Sequence, residues 1–256
     1  MKRIPVLCSA IVALALALPV FAQTAPRVYP RDLEGIWINE AYLKALTETR
    51  MPHRAAKSAE PVVIGIRRHG RAYPVVITNF DKATVTALLD VQPDAKPGAY
   101  RMVLGPGDRP VSSDEVTYVH FRGQRKTGGG FDRLSIAEMQ FMKGRWAEYA
   151  YLGTELARTI NDLVIAGSYT DANGKRWTFS DVGESQWPDR SYLYELSLND
   201  PTANCEYFTV EDMEATDGKG RYGYAWRDGK LHIFEARMAD NRVRCSQKAM
   251  AVLTPQ

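Results

Sequence analysis

Asp32-Leu33-Glu34-Gly35-Ile36-Trp37-Ile38-Asn39 opens the regular hydrophobic pattern of this chain. Gly35 to Ile38 reads as a short strand, its three side chains being β-branched or aromatic. Asn39 is a suitable helix N-cap. Glu40 to Thr47 follows with apolar residues at 42, 43 and 46, a helical spacing that must close before Pro52. A glycine two residues before a large aromatic at the head of a first strand poses one question. Either it opens a hollow barrel that holds a ligand, or it opens a solid β-domain whose surface does the work.

Upstream, Met1-Lys2-Arg3 precedes an apolar run from Ile4 to Leu18, and Pro19-Val20-Phe21-Ala22 leads to Gln23. A charged n-region, an apolar stretch too short to span a bilayer and a Val-x-Ala site describe a signal peptide over residues 1–22, cut near Ala22-Gln23. Leu7 before Cys8 is not the small residue that a lipoprotein signal needs. Residues 23–32, with Pro26 and Pro30, read as a leader to the folded part. Removing Lys2 and Arg3 leaves 31 basic against 30 acidic residues. That balance gives no basic face for nucleic acid. No later apolar run reaches transmembrane length, so the expectation is a periplasmic or secreted chain without a transmembrane segment. Cys205 and Cys245 are the two cysteines left in an oxidising compartment, and they are expected to pair. Closing a loop of about 40 residues would stabilise the fold by roughly 3–4 kcal/mol. The rival reading, a redox or metal pair, lacks CxxC spacing.

Downstream, 62–66 and 73–77 form a predicted hairpin, followed by strands over 84–91, 99–104, 115–122, 131–136 and 145–152. Turn material separates them at Lys96-Pro97-Gly98, Gly105-Pro106-Gly107-Asp108, Gly128-Gly129-Gly130 and Lys143-Gly144. Thr154 to Leu163 breaks the rhythm, with Leu156, Ile160 and Leu163 on one helical face. The β pattern restarts at 165–169, turns at Asn173-Gly174, and continues through 192–198, 205–210, 221–226, 230–237 and 248–253. The fold class is therefore all-β, as two antiparallel modules joined by a short helix. The N-terminal β module with its one short helix spans 33–153, the connecting helix 154–163 and the C-terminal β module 164–256. Gly35-Ile36-Trp37 and Gly167-Ser168-Tyr169 each head a module, a faint internal repeat.

Gly35-x-Trp37 resembles the opening of a lipocalin, a calycin-type barrel in which that Trp plugs one end. The resemblance implies a lipocalin-like barrel architecture and an Arg packed across Trp37, with Arg237, Arg242 and Arg244 as candidates. It also implies that a Cys205–Cys245 bridge ties the C-terminal segment to a barrel wall. The family's Thr-Asp-Tyr turn has no counterpart here, and a helix directly after the first strand is a departure.

The residues that could carry chemistry are sparse. His53, His69, His120 and His232 are scattered without metal-ligand spacing, so no metal or other cofactor is expected. His120 and His232 alternate with apolar neighbours and should face opposite to them, towards solvent or lining a barrel. Ser185 in Gly183-Glu184-Ser185-Gln186-Trp187 lacks the second glycine of a nucleophile elbow. Asp171-Ala172-Asn173-Gly174 is a fragment of a calcium loop that turn chemistry already explains. No catalytic residue is assigned, and an enzyme is not expected. Acidic residues 211–217 read as a solvated loop. Two basic turns, 67–71 and 122–126, would make one cationic rim if the fold made them neighbours.

Aromatic residues crowd the chain after 145, with same-face pairs at Trp177 and Phe179, Tyr192 and Tyr194, and Tyr222 and Tyr224. Two functions follow. The first is a secreted or periplasmic lipocalin-like binding protein for a small apolar or amphipathic molecule, lined by Trp37, Trp177, Tyr192, Tyr194, Tyr222 and Tyr224. The second is an inhibitor or immunity protein for a secreted hydrolase, presenting the 183–190 loop with Trp187 and Arg190 as its protein-binding anchors.

Overall fold

The computed structural model describes residues 27–59, 61–106, 115–127, 129–137, 146–212 and 219–256. The signal region, most of the leader, residues 107–108, the Lys143-Gly144 turn and most of the acidic stretch lie outside the described residues. Among the described residues, sixteen strands close into two antiparallel eight-stranded barrels, each strand bonded to the next along the chain. Barrel 1 contains β1 (Gly35–Asn39), β2 (Val63–Ile66), β3 (Pro74–Thr78), β4 (Ala83–Pro93), β5 (Ala99–Gly105), β6 (Thr117–Arg125), β7 (Phe131–Ala137) and β8 (Trp146–Gly153). Barrel 2 contains β9 (Gly167–Thr170), β10 (Arg176–Phe179), β11 (Glu184–Gln186), β12 (Ser191–Leu196), β13 (Glu206–Asp212), β14 (Lys219–Arg227), β15 (Lys230–Ala239) and β16 (Arg242–Pro255). Trp37 opposite Tyr151 closes the first, and Pro255 opposite Tyr169 closes the second. The all-β expectation holds.

Strand alternation places the side chains. In β12, Tyr192, Tyr194 and Leu196 are buried while Leu193 and Glu195 face out. His120 and His232 behave as alternation requires, each partly exposed between buried neighbours. Three helices interrupt the strands. α1 (Glu40–Thr49) is capped by Asn39, whose Oδ1 accepts the Ala41 N–H at 2.9 Å. α2 (Pro52–Ala56) follows where the first helix was expected to have closed, and its Pro sits in the first turn, where no N–H is needed. α3 (Leu156–Val164) joins the barrels, and its cap residue, Glu155, makes no side-chain bond.

The two Gly-x-aromatic stretches do the same thing in the two barrels. Trp37 Nε1 donates to the Leu33 carbonyl at 2.8 Å, and the Tyr169 hydroxyl donates to the Ile165 carbonyl at 2.7 Å, each four residues back. Each ring thereby ties the incoming chain to the end of its barrel. Gly35 is obligatory here: its φ is +132°, and a Cβ would stand 2.4 Å from the Tyr151 ring. The expected Arg across Trp37 is not Arg237, Arg242 or Arg244, which lie at the β15–β16 hairpin of the other barrel. A cation reaches Trp37 indirectly. Lys126 Nζ sits 3.8 Å over the Tyr151 ring, which meets Trp37 edge-on at 5.1 Å.

The cores differ. Barrel 1 is filled by its own side chains, including Trp37, Phe121, Phe131, Leu134 and Tyr149. Barrel 2 shares one cluster with the helices: Tyr42, Leu46, Ile160 and Val164 join Phe179, Phe208 and Leu231, and Ile38 and Val63 reach it from β1 and β2. The Cys205–Cys245 disulfide is present and fastens the β12–β13 loop to β16. It lies against Gly223, where a Cβ would come within 2.1 Å of the Cys245 sulfur. Among the described residues no helix is long and apolar enough to cross a membrane.

Candidate functional site

The six aromatics expected to line a ligand cavity are packing residues in this structure. Trp37 closes barrel 1 and is wholly buried. In barrel 2 the Trp187 ring contacts Trp177, Tyr192 and Tyr222 at centroid distances of 4.7, 4.8 and 4.7 Å. Phe208 lies 6.0 Å from Tyr222 and 6.2 Å from Tyr224, and Tyr194 meets Phe179 edge-on at 5.5 Å. These rings occupy the barrel. The same packing removes the anchor expected of the 183–190 segment, because Trp187 is only 4% exposed. Residues 184–186 form strand β11 instead of a free loop, and Trp187 N–H bonds the Arg190 carbonyl to close a tight turn. Arg190 remains at the surface, 3.9 Å from Asp189.

Space for a ligand lies at the seam between α2 and barrel 2. A cleft of about 720 Å³ runs between α2, the disulfide-bound β12–β13 loop and the outer wall of β14 to β16. Met51, Pro201 and Phe234 give it an apolar wall, while Arg54, Lys57 and Arg227 stand exposed at its edge. Among the described residues none of these three cations is in an ion pair, and Arg227 lies 5.5 Å over the Phe234 ring. The disulfide holds the loop side of the cleft.

His53 and Glu206 form the cleft's buried end. Glu206 Oε2 accepts the His53 N–H at 3.0 Å and Oε1 accepts the Arg54 N–H at 3.1 Å, which fastens α2 to barrel 2. Burial pushes the Glu206 carboxyl up to about 7, against those two N–H groups and nearby Lys57. Burial also pushes the His53 imidazole down, against the upward pull of Asp200 and of the Ser197 and Cys205 backbone. Burial disfavours the charged form of both partners, so the 3.6 Å approach of His53 Nδ1 to Glu206 is not a fixed ion pair. Tyr224 borders the cleft, and neither its buried hydroxyl nor that of Tyr42 has a hydrogen-bond partner among the described residues. Glu206 raises the pKa of both, after burial itself.

His53 Nε2 also stands 3.0 Å from Ser197 Oγ, so serine, imidazole and carboxylate follow one another in space. A nucleophile relay needs an ionised carboxylate oriented on the imidazole. Here both Glu206 oxygens already accept backbone N–H groups and the carboxyl is half neutral near pH 7, so the array works as a tie. Asp200, on the cleft's rim, stays ionised. Burial alone would raise it, but donors from Thr202, Tyr207 and Ala203 outweigh burial and hold it below its usual value. It is saturated by its own loop.

The remaining sequence candidates are structural. Asp171 Oδ1 accepts the Asn173 and Lys175 N–H groups and Oδ2 accepts Trp177 Nε1, so its carboxylate is used by the turn. His120 Nδ1 meets Asp94 Oδ2 at 2.5 Å. Among the described residues no three His, Cys, Asp or Glu side chains gather as a metal site. Sequence reasoning missed the cleft because its parts are His53 and Arg54 on one side and Glu206, 152 to 153 residues later, on the other. Pro52-His53-Arg54 offered only a helix start as a signal. No family model matches the chain, and neither a curated protein nor a solved structure is found similar to it.

Proposed function

We propose that this chain is an exported, lipocalin-like (calycin-type) binding protein for a small amphipathic molecule with an anionic group, and that it binds at the seam cleft, not inside a barrel. The signal-like N-terminus supports export. The observation that carries the binding reading is the cleft itself: an apolar wall at Met51, Pro201 and Phe234 faces three cations without ion pairs, Arg54, Lys57 and Arg227. Its volume of about 720 Å³ lies in the range of small-molecule sites. Glu206, holding its proton to about pH 7, adds little repulsion to an anion. Burial of Trp187 takes support from the inhibitor reading.

The test is a titration with a fluorescent fatty acid, displaced by unlabelled laurate and by laurylamine. Laurate should displace it and the amine should not. Arg54→Glu with Arg227→Glu should weaken binding at least tenfold while the fold, followed by near-UV circular dichroism, stays intact. Equal displacement by the amine, or unchanged affinity in the double variant, would overturn the proposal.

A further inference from the structure

The two basic turns do come together. In an up-and-down barrel, alternate turns share an end, so the β2–β3, β4–β5 and β6–β7 turns of barrel 1 all surround the point where the chain enters β1. That end is closed by a 3₁₀ turn, Pro30–Leu33, whose neighbours make the connections. Glu34 Oε1 accepts the Arg68 N–H at 3.2 Å, and Arg125 donates to the Arg27 carbonyl at 3.2 Å. The opposite end of barrel 1 faces barrel 2, where Asn199 donates to the Asn79 carbonyl. The basic end is thus the opposite end of barrel 1 from that contact; β8 also finishes there, at Gly153 opposite Ile36, before α3 leads to barrel 2.

We propose that this basic end is a docking surface for an anionic lipid bilayer. The β2–β3 turn presents Arg67, Arg68 and Arg71, all exposed, and the β4–β5 turn presents Lys96. Arg125 and Lys126 come from the β6–β7 side, and Arg27 and Arg31 from the closing segment. The acidic groups at this end are fewer than its cations, and Asp32 also lies 4.0 Å from Arg31. Asp32 accepts the Tyr29 N–H, Glu34 the Arg68 N–H, and Asp94 the Ala95 N–H together with His120. The chain as a whole carries 33 basic and 30 acidic residues, so this concentration makes the molecule electrically polar. Tyr29 marks a bilayer over a soluble acidic partner. It is 40% exposed, and the guanidinium groups of Arg27 and Arg31 each lie 5.0 Å over its ring. An exposed aromatic ring beside two arginines suits the headgroup layer, which accepts amphipathic rings and attracts basic clusters. The inference stands apart from the seam cleft, since none of these residues borders it.

Co-sedimentation with vesicles, using the protein as its own host exports it, provides the test. It should pellet with phosphatidylcholine vesicles containing one-quarter phosphatidylglycerol, fail to pellet with phosphatidylcholine alone, and be released by half-molar sodium chloride. Arg67→Glu, Arg71→Glu and Lys96→Glu, combined, should lower the partition coefficient at least tenfold; Lys248→Glu on barrel 2 should leave it unchanged. All four positions are exposed, and near-UV circular dichroism reports whether the fold is kept. Equal pelleting with both vesicles, or full binding by the triple variant, overturns the proposal. Binding to soluble polyphosphate with no vesicle binding also overturns it, assigning the basic end to a free polyanion.

Discussion

Barrel 1 and barrel 2 have the same topology and the same closing device, yet they are finished differently. In each, a glycine with positive φ precedes an aromatic that hydrogen-bonds the carbonyl four residues back. In each, a cation backs a second ring beside the first: Lys126 over Tyr151 next to Trp37, and Arg50 over Trp226, which lies 6.2 Å from Tyr169. Barrel 1 then seals its core with its own side chains. Barrel 2 merges its core with α1, α2 and α3, and carries the disulfide. The difference teaches where recognition can be placed. A sealed barrel offers only its ends, whereas a barrel packed against helices leaves a seam, and the seam holds the cleft.

The most severe way to break this comparison is to empty a core. Trp37→Ala removes a wholly buried ring and its bond to Leu33 and should cost about 3–5 kcal/mol in urea unfolding. Trp187→Ala should cost a similar amount, because its ring is surrounded by Trp177, Tyr192 and Tyr222. Were Trp187→Ala to change stability by less than about 0.5 kcal/mol, the residue would behave as a surface side chain and the inhibitor reading would regain its anchor.

Reduction tests the asymmetry next. Replacing Cys205 and Cys245 by Ser frees the loop that forms one side of the cleft. The loss should be about 2–4 kcal/mol, accompanied by faster amide exchange over 199–206 than over barrel 1. Uniform exchange across both barrels would show that the bridge does not single out barrel 2.

How much of this was legible beforehand follows the range of each interaction. Period-two patterning located fifteen of the sixteen strands, and the Asn39 cap and the disulfide were read correctly. β11 was missed because three residues centred on a buried serine carry no period, and α2 because five residues carry none either. The same-face aromatic pairs were visible, but whether a barrel is hollow depends on how rings from different strands meet. Trp187 fills the space that Tyr192 and Tyr222 would otherwise border. The His53–Glu206 tie was invisible for the same reason: alternation says which face a residue takes, not what stands opposite it 153 residues away.

That tie makes the seam sensitive to pH. Glu206 keeps its proton to about 7 in the folded chain, against 4.5 as the ordinary value, so the folded state binds more protons between those limits. Its stabilising contribution is complete below about 4.5 and is lost as pH rises through about 7, by up to about 3 kcal/mol. His53 works in the other sense: its pKa is depressed, so its contribution is present above 6.5 and lost on acidification. Glu206→Gln should abolish the decline between about 4.5 and 7 and leave the His53 loss on acidification in place. A decline that persists in Glu206→Gln would assign it to another group.

The smallest effect bears most directly on the repeat. Tyr169→Phe deletes one hydroxyl and leaves the Ile165 carbonyl without its partner in a buried setting. The expected loss is about 1 kcal/mol. Trp37→Phe removes the corresponding donor from the Leu33 carbonyl, with a further loss for the smaller ring. If the device is one element used twice, each change should loosen its own barrel's entry without disturbing the other, and the double variant should lose the sum. The helical layer makes a different outcome measurable. Ile38 follows Trp37 in β1 and belongs to the cluster that contains Tyr169. Coupling beyond about 0.5 kcal/mol between the two sites would show that the barrels unfold as one body through that layer.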